Sequence, residues 1–269
     1  MPKIHANDID IYYEITGSGE PLVLIAGLGY DMWMWHKMIP GLAEHFQVIA
    51  FDNRGVGQTD KPVGPYSAKL LADDTAGLIE ALGLQRAAVL GHSMGGFVAQ
   101  ALALGRPDLL DKLILSATNF GGPRHIPVTP QAMAVLMDMT GDPVERLKRG
   151  ILISCTPGFG EAHPEIVQEW LDYRAKNPLQ LAPYQAQLAV GLALVSEDAC
   201  FEHRLKDVQT PTLILFGEHD KVVPPGNATL LAGVIPNNTV KILPDAGHFL
   251  SLDATDAAVE AVVEFLKAS

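Results

Sequence analysis

Cysteine is nearly missing from this chain. Two occur in 269 residues, Cys155 and Cys200, too few for the disulfide framework that staples small secreted domains. Neither has a metal-ligand spacing, so no metal site is expected. Both fall in one segment, and a disulfide between them stays open because sequence does not report proximity; the plainer reading is two buried thiols in a reducing compartment. Positive charge is also scarce: 19 Lys and Arg face 31 Asp and Glu, for a net charge of −12. An acidic surface repels phosphate backbones and anionic headgroups, which argues against nucleic acid or an anionic membrane as a partner. No apolar run approaches the roughly 20 residues of a membrane span. The opening "MPKIHANDIDIYYEITGSGEP" lacks the basic-then-apolar order of a signal peptide. Together these absences read as a soluble, cytoplasmic protein. Internal repeats and low-complexity stretches are absent too, which sets solenoids and disordered tails aside.

What is present is material for a core. The hydrophobic fraction is 48% and the charged fraction 19%, an ordinary globular balance. The N-terminal "KIHAND" and "IDIYYEIT" alternate apolar and polar residues and read as an antiparallel pair. "PLVLIAG" (21–27) and "FQVIAFD" (46–52) are almost continuously apolar, as strands buried on both faces of a parallel sheet should be. Between them "DMWMWHKMIPGLAEH" can form a helix, broken or kinked at Pro40. Helical spacing over 68–84, ending near Gly83, precedes a strand at 86–92. A helix stopping before Pro107 precedes a strand at 111–117. The rhythm resumes with a strand at 211–217, a helix over about 226–235, a strand at 239–244 and a helix over 253–268. Strand alternating with helix implies an α/β protein with a doubly wound, mostly parallel sheet. Residues 119–208 interrupt it with helical patterns such as "TPQAMAVLMDM", "DPVERLKRGILI" and "PEIVQEWLDYRAK". The segment carries Met133, Met137, Met139, Phe159, Trp170 and Tyr184. The domain reading is a core of 1–118 and 209–269 with a helical insertion at 119–208. Most of the insertion's apolar side chains pack it onto the core, and some line a pocket for a small ligand.

Within "VLGHSMGGFV" a serine stands between glycines where a strand gives way to a helix. Gly91-His92-Ser93-Met94-Gly95 fits G-x-S-x-G. A sharp strand-to-helix turn would strain the serine's backbone and present its hydroxyl at the carboxyl end of the sheet, beside the free N–H groups of a helix N-terminus. A serine hydroxyl needs a base. Of nine histidines, His248 in "LPDAGHFLSL" follows the last strand, at the same end of the sheet. His92 should point away from Ser93, and His219 is a pocket-edge or solvated residue. The base in turn needs an orienting carboxylate. "LILFGEHDKVVPP" offers Glu218 and Asp220; Asp220 is preferred, and Asp245 is too near His248 in the turn. The second oxyanion donor beside Met94 N–H is expected from "IAGLGYD" (25–31), through Leu28 N–H, with Gly27 and Gly29 allowing close approach.

In order, "LIAGLG", "FDNRGVGQTD", "LGHSMGG", "LILFGEHDKVVPP" and "DAGHFLSLD" resemble the α/β-hydrolase superfamily, with its carboxylesterase and 3-oxoadipate enol-lactonase branch the nearest in flavour. The resemblance spans nearly the whole chain. It implies an eight-stranded sheet, a helical cap inserted after the sixth strand, and a catalytic set of Ser93, Asp220 and His248 in the order nucleophile, acid, histidine. Two departures stand out. The family often has His-Gly where this chain has Ala26-Gly27, so that histidine's role in anchoring the oxyanion loop is vacant. The usual D-x-R-G-x-G-x-S turn ends here in Thr59, which can make the same turn hydrogen bond. Ser93 itself argues against the haloalkane dehalogenases and related epoxide hydrolases, which carry aspartate there.

The expected reaction is hydrolysis of a small-molecule ester or lactone through an acyl-enzyme, with no metal or organic cofactor. Gly27, Gly29, Trp33 and Phe120, with Met137, Tyr184 and Phe249, are expected to line the substrate pocket. Arg124 and Arg174 are candidates to hold a substrate carboxylate. The same catalytic set would also serve carbon–carbon bond hydrolysis or perhydrolysis, and the fold could act as a ligand receptor with vestigial hydrolysis. Oligomeric state is left open.

Overall fold

A computed structural model describes residues 2–138 and 140–268; Met139, one of the insertion's methionines, lies outside them. The chain opens with β1 (Lys3–Ala6) and β2 (Ile9–Thr16), then β3 (Pro21–Ile25), α1 (Ile39–Ala43), β4 (Gln47–Phe51), α2 (Ala68–Ala81), β5 (Ala87–His92), α3 (Met94–Gly105) and β6 (Leu110–Ser116). Helices α4 (Pro130–Met137), α5 (Pro143–Ser154), α6 (Phe159–Ala162), α7 (Pro164–Lys176) and α8 (Leu181–Ala193) follow. The chain closes with β7 (Thr212–Gly217), α9 (Gly226–Ala232), β8 (Asn238–Leu243), α10 (Leu250–Asp253) and α11 (Thr255–Lys267). The eight strands form one sheet in the order β1-β2-β4-β3-β5-β6-β7-β8. β2 pairs antiparallel with β1 and β4, and every pairing from β4 to β8 is parallel. The expected N-terminal antiparallel pair and doubly wound sheet are both present.

Period-two alternation places the core on both faces. Val23 and Ile25 pack one way, with Val89, Leu113 and Ile214, against α2 and α3. Leu22 and Leu24 face the other way, with Leu90, Leu213 and Leu215, toward α11 and the aromatic side chains of Trp35 and Trp170. Strands buried on both faces need apolar residues at every position, so they read as continuous runs.

The segment after β3 departs from the expected single helix. Residues Met32–Trp35 make a 3-10 turn whose first residues are capped by Asp31, which accepts from Trp33 N–H at 3.2 Å. Pro40 does not break a helix there; it sits in the first turn of α1, where its missing N–H has no partner to lose. The closing helix is likewise split, with α11 starting at Thr255 after the short α10. Between β6 and β7, α4 is capped by Thr129 and α5 by Asp142. Helix α8 did not stand out in the sequence because its apolar residues run almost all around it. No helix among the described residues is long and apolar enough to cross a membrane.

Candidate active site

Ser93 lies between the last residue of β5 and the first of α3, with φ +54° and ψ −117°. A side chain in that region costs on the order of 1–3 kcal/mol, so the surrounding chain must enforce it. Ser93 N–H donates to Ser116 C=O at 2.9 Å, and its carbonyl accepts from Gly96 N–H and the Thr118 hydroxyl. The glycines either side permit the turn: a Cβ on Gly91 would lie 2.3 Å from Gly95 O, and one on Gly95 2.3 Å from Ile25 O. The Ser93 hydroxyl does not cap α3, and the residue is half-buried.

Asp220 follows β7 and His248 follows β8. His248 Nδ1 stands 2.8 Å from Asp220 Oδ2, with the two side chains 6% and 0% exposed. A carboxylate only accepts, so Nδ1 donates in this contact, and Nε2 is the ring nitrogen left to carry a lone pair in the neutral imidazole. The other oxygen, Asp220 Oδ1, accepts from Val222 N–H and Val223 N–H at 2.8 and 2.7 Å. The acid is therefore oriented by backbone on one side and orients the imidazole on the other. Asp253 pins the histidine loop, with Oδ2 accepting from Gly247 N–H and Thr156 N–H at 2.8 and 2.7 Å. Burial pushes Asp253 up to about 6. Glu218 is exposed, and Asp245, 96% exposed, lies 3.9 Å from His219 at the surface.

His92 is fully buried behind this pair. Its ring centroid lies 4.9 Å from that of His248, and its Nδ1 is 3.1 Å from the Ser116 hydroxyl. Burial, and secondarily the neighbouring His248, hold its pKa well below the ordinary histidine value, so His92 is a neutral wall of the site. Phe249 adds to that wall, with its ring against Tyr30 and Trp170.

Leu28 and Met94 face this end of the sheet from two chain segments. Leu28 N–H makes no hydrogen bond among the described residues. Met94, the first residue of α3, has no intrahelical acceptor for its N–H. A Cβ on Gly27 would stand 3.4 Å from Ser93 Cβ, so the loop passes directly over the serine. Asn53 secures it by donating to Ala26 C=O at 3.1 Å. Gln187, from α8, accepts from Gly29 N–H at 2.9 Å and donates to Arg54 C=O at 2.8 Å. Sequence reasoning missed both anchors; the available signal was a lone glutamine inside the apolar run "AQLAV". Asp52 and Thr59 hold the "DNRGVGQT" turn. Asp52 accepts from Met32 N–H and Gln58 N–H, and the Thr59 hydroxyl oxygen accepts from Tyr12 N–H.

The expected pocket residues separate into groups. Gly27, Gly29, Tyr184 and Phe249 gather around the loop and the histidine. Tyr184 covers Gly29, whose φ is +73°. Trp33 instead stacks between Tyr173 and His36, at 3.9 Å from each ring. It lines a cavity of about 520 Å3, as do Asp31, Asp52 and Gly29, but Ser93, Asp220 and His248 do not. Phe120 is a core residue, packed in the same cluster as Val190, Leu194 and Phe201. Met137 ends α4 and is 69% exposed, so no pocket encloses it; Met133 and Leu136 of the same helix are exposed as well, and α4 buries only Ala132. The two arginines are engaged elsewhere: Arg124 pairs with Glu202, and Arg174 donates to Gly29 C=O at 3.3 Å. Cys155 and Cys200 are free buried thiols, not a disulfide. Among the described residues, no group of three or more His, Cys, Asp or Glu is placed to hold a metal.

The family model described as "alpha/beta hydrolase fold" matches residues 20–255. The chain is 30% identical to "Putative carbamate hydrolase RutD" of Azorhizobium caulinodans over 98% of both chains. It is 29% identical to a 2-hydroxy-6-oxononadienedioate/2-hydroxy-6-oxononatrienedioate hydrolase of Burkholderia vietnamiensis, over 97% of this chain and 92% of that one. Among solved structures, the enol-lactonase from Burkholderia xenovorans superposes with a TM-score of 0.80 at 26% identity, over 99% of this chain and all of that one. The chain therefore belongs to the alpha/beta hydrolase fold family and is a hydrolase.

Proposed function

We propose that this protein hydrolyses a carboxylic ester or lactone through an acyl-enzyme on Ser93. The buried His248–Asp220 contact of 2.8 Å carries the reading, because it orients an imidazole from the loop after β8, at the same end of the sheet as a serine held at φ +54°. His248 takes the proton as Ser93 attacks the carbonyl. Leu28 N–H and Met94 N–H receive the oxyanion, and each such donor is worth about 100–1000-fold in kcat. His248 then protonates the leaving alkoxide and activates the water that releases the acid. Residues 119–208 serve as a cap that shapes the pocket.

Carbon–carbon bond hydrolysis is the reading suggested by the Burkholderia vietnamiensis relative's name. The engagement of Arg124 with Glu202 and of Arg174 with Gly29 favours an uncharged acyl group over a dianionic substrate of that kind. The experiment compares purified wild type with Ser93→Ala on aryl esters of graded chain length and on lactones. Multiple turnovers by the wild type alone are expected. Equal rates in the two proteins would remove Ser93 from the reaction. Fluorophosphonate labelling without any turnover would favour a receptor, and peracid formed from peroxide and acetate a perhydrolase.

A further inference from the structure

The loop over Ser93 is held from two sides. The core holds its first half: Asn53 donates to Ala26 C=O at 3.1 Å, and Gly27 N–H points at Met34 Sδ at 3.5 Å. In the second half Tyr30 N–H closes a turn onto Gly27 C=O at 3.2 Å and the Tyr30 ring packs on Phe249, while Gly29 between them takes its partners from elsewhere. Gly29 has no side chain of its own and sits at φ +73° within that turn. Its two polar groups go instead to helices α7 and α8. Gly29 N–H donates to Gln187 Oε1 at 2.9 Å, and Gly29 C=O accepts from Arg174 Nη2 at 3.3 Å. The Arg174 guanidinium also lies 5.3 Å over the Tyr30 ring. Leu179 and Tyr184 close over Gly29 so tightly that a Cβ there would come within 3.3 and 3.0 Å of them. Gln187 is fully buried, and its other end donates to Arg54 C=O. That bond fixes the rotamer, so the amide cannot swing away from the loop.

We propose that Gln187 is a positioning residue for the oxyanion site, through which the helices between β6 and β7 set the place of Leu28 N–H. This rests on the reading of Leu28 as an oxyanion donor. The Leu28–Gly29 peptide carries the N–H that Gln187 binds. Turning that peptide changes the dihedral angles at Leu28 and displaces the amide one residue before it. Gln187 touches no substrate; it fills by a long-range contact the anchoring role that Ala26 cannot supply.

Gln187→Met keeps the side chain's length and removes both hydrogen bonds. On an aryl ester it is expected to lower kcat about 10–100-fold with KM within about threefold, the signature of a misplaced group acting in the transition state. Hydrogen–deuterium exchange over residues 25–31 is expected to quicken while the rest of the sheet is unchanged. If Gln187→Met does not fold, Arg174→Met makes the same comparison from the half-buried α7, with a kcat loss of about 3–10-fold for one hydrogen bond. Wild-type kcat in the folded variant, or unaltered exchange over 25–31, would overturn the proposal. A wild type inactive on every ester would instead defeat the proposed function, and the exchange measurement, which needs no turnover, would still decide the clamp.

Discussion

Ser93 holds a conformation that favours glycine, and it does so at the point where a hydroxyl must stand clear of both strand and helix. The strain is borne by the hydrogen bonds that Ser93 N–H donates to Ser116 C=O and that Ser93 C=O accepts from the Thr118 hydroxyl. Ser93→Gly should therefore abolish turnover and raise stability. Relief of about 1 kcal/mol, after the extra chain entropy of glycine, corresponds to a Tm increase of about 2–4 °C. Thermal unfolding checks this, and a lower Tm would show the turn to be unstrained. The meeting of Asp220 with His248 was legible because each, like Ser93, follows a parallel strand, and chain order alone sends those strand ends to one end of the sheet. Gln187 and Asn53 were not. Their partners lie 158 and 27 residues away, and a single polar side chain reaching a backbone group leaves no periodic trace. Trp33 lines a cavity that Ser93, Asp220 and His248 do not share, and Met137 stands exposed: hydrophobic character marks a residue for burial or a pocket without saying which cavity, or how much of its helix is packed.

Helix α3 shows how an element is constrained as a whole. Its first turn lies against the end of β3, close enough that Gly95 admits no side chain. A Cβ there would meet the carbonyl oxygens of Ile25 and Ala26 at 2.3 and 2.8 Å, and backbone oxygens cannot rotate aside. Gly95→Ala should cost about 1–3 kcal/mol of overpacking, despite alanine's better helix propensity, and should also push the helix N-terminus from the loop proposed to hold the oxyanion. Urea unfolding reads the first effect and aryl-ester kcat the second; a variant as stable as wild type would show that α3 can shift freely. The core strands were legible as runs because burial on both faces removes the need for polar residues. The stretch after β3 was less so, because a 3-10 turn and a five-residue helix share their local pattern with one longer helix, and only the tertiary position of Pro40 separates the two.

At the scale of the whole molecule, two buried carboxylates each withdraw stability as pH rises through the weakly acid range, while buried His92, held below its ordinary value, works the other way. Asp52 and Asp253 are both pushed up to about 6, chiefly by burial. A carboxylate with a raised pKa binds its proton more tightly in the folded state. Its stabilising contribution is complete below the unfolded value near 3.8 and lost as pH passes through about 6. Asp253 offers a clean test, since Oδ2 takes both backbone N–H bonds while Oδ1 is buried without a partner. Asp253→Asn can place its amide oxygen in the first position and keep the loop. The variant's fall in unfolding free energy between pH 4 and 7 should be smaller than that of wild type by about 2–3 kcal/mol. Parallel curves for the two proteins would show that Asp253 ionises without cost.

The grip of α7 and α8 on Gly29 also bears on how this scaffold can be remodelled. Helices that define a pocket are usually treated as exchangeable, so that a new set brings a new substrate to an unchanged reactive centre. Here residues 174–187 reach through to the backbone beside that centre. A chimaera carrying foreign helices would acquire their pocket and lose the brace, unless a glutamine at the position of Gln187 travelled with them.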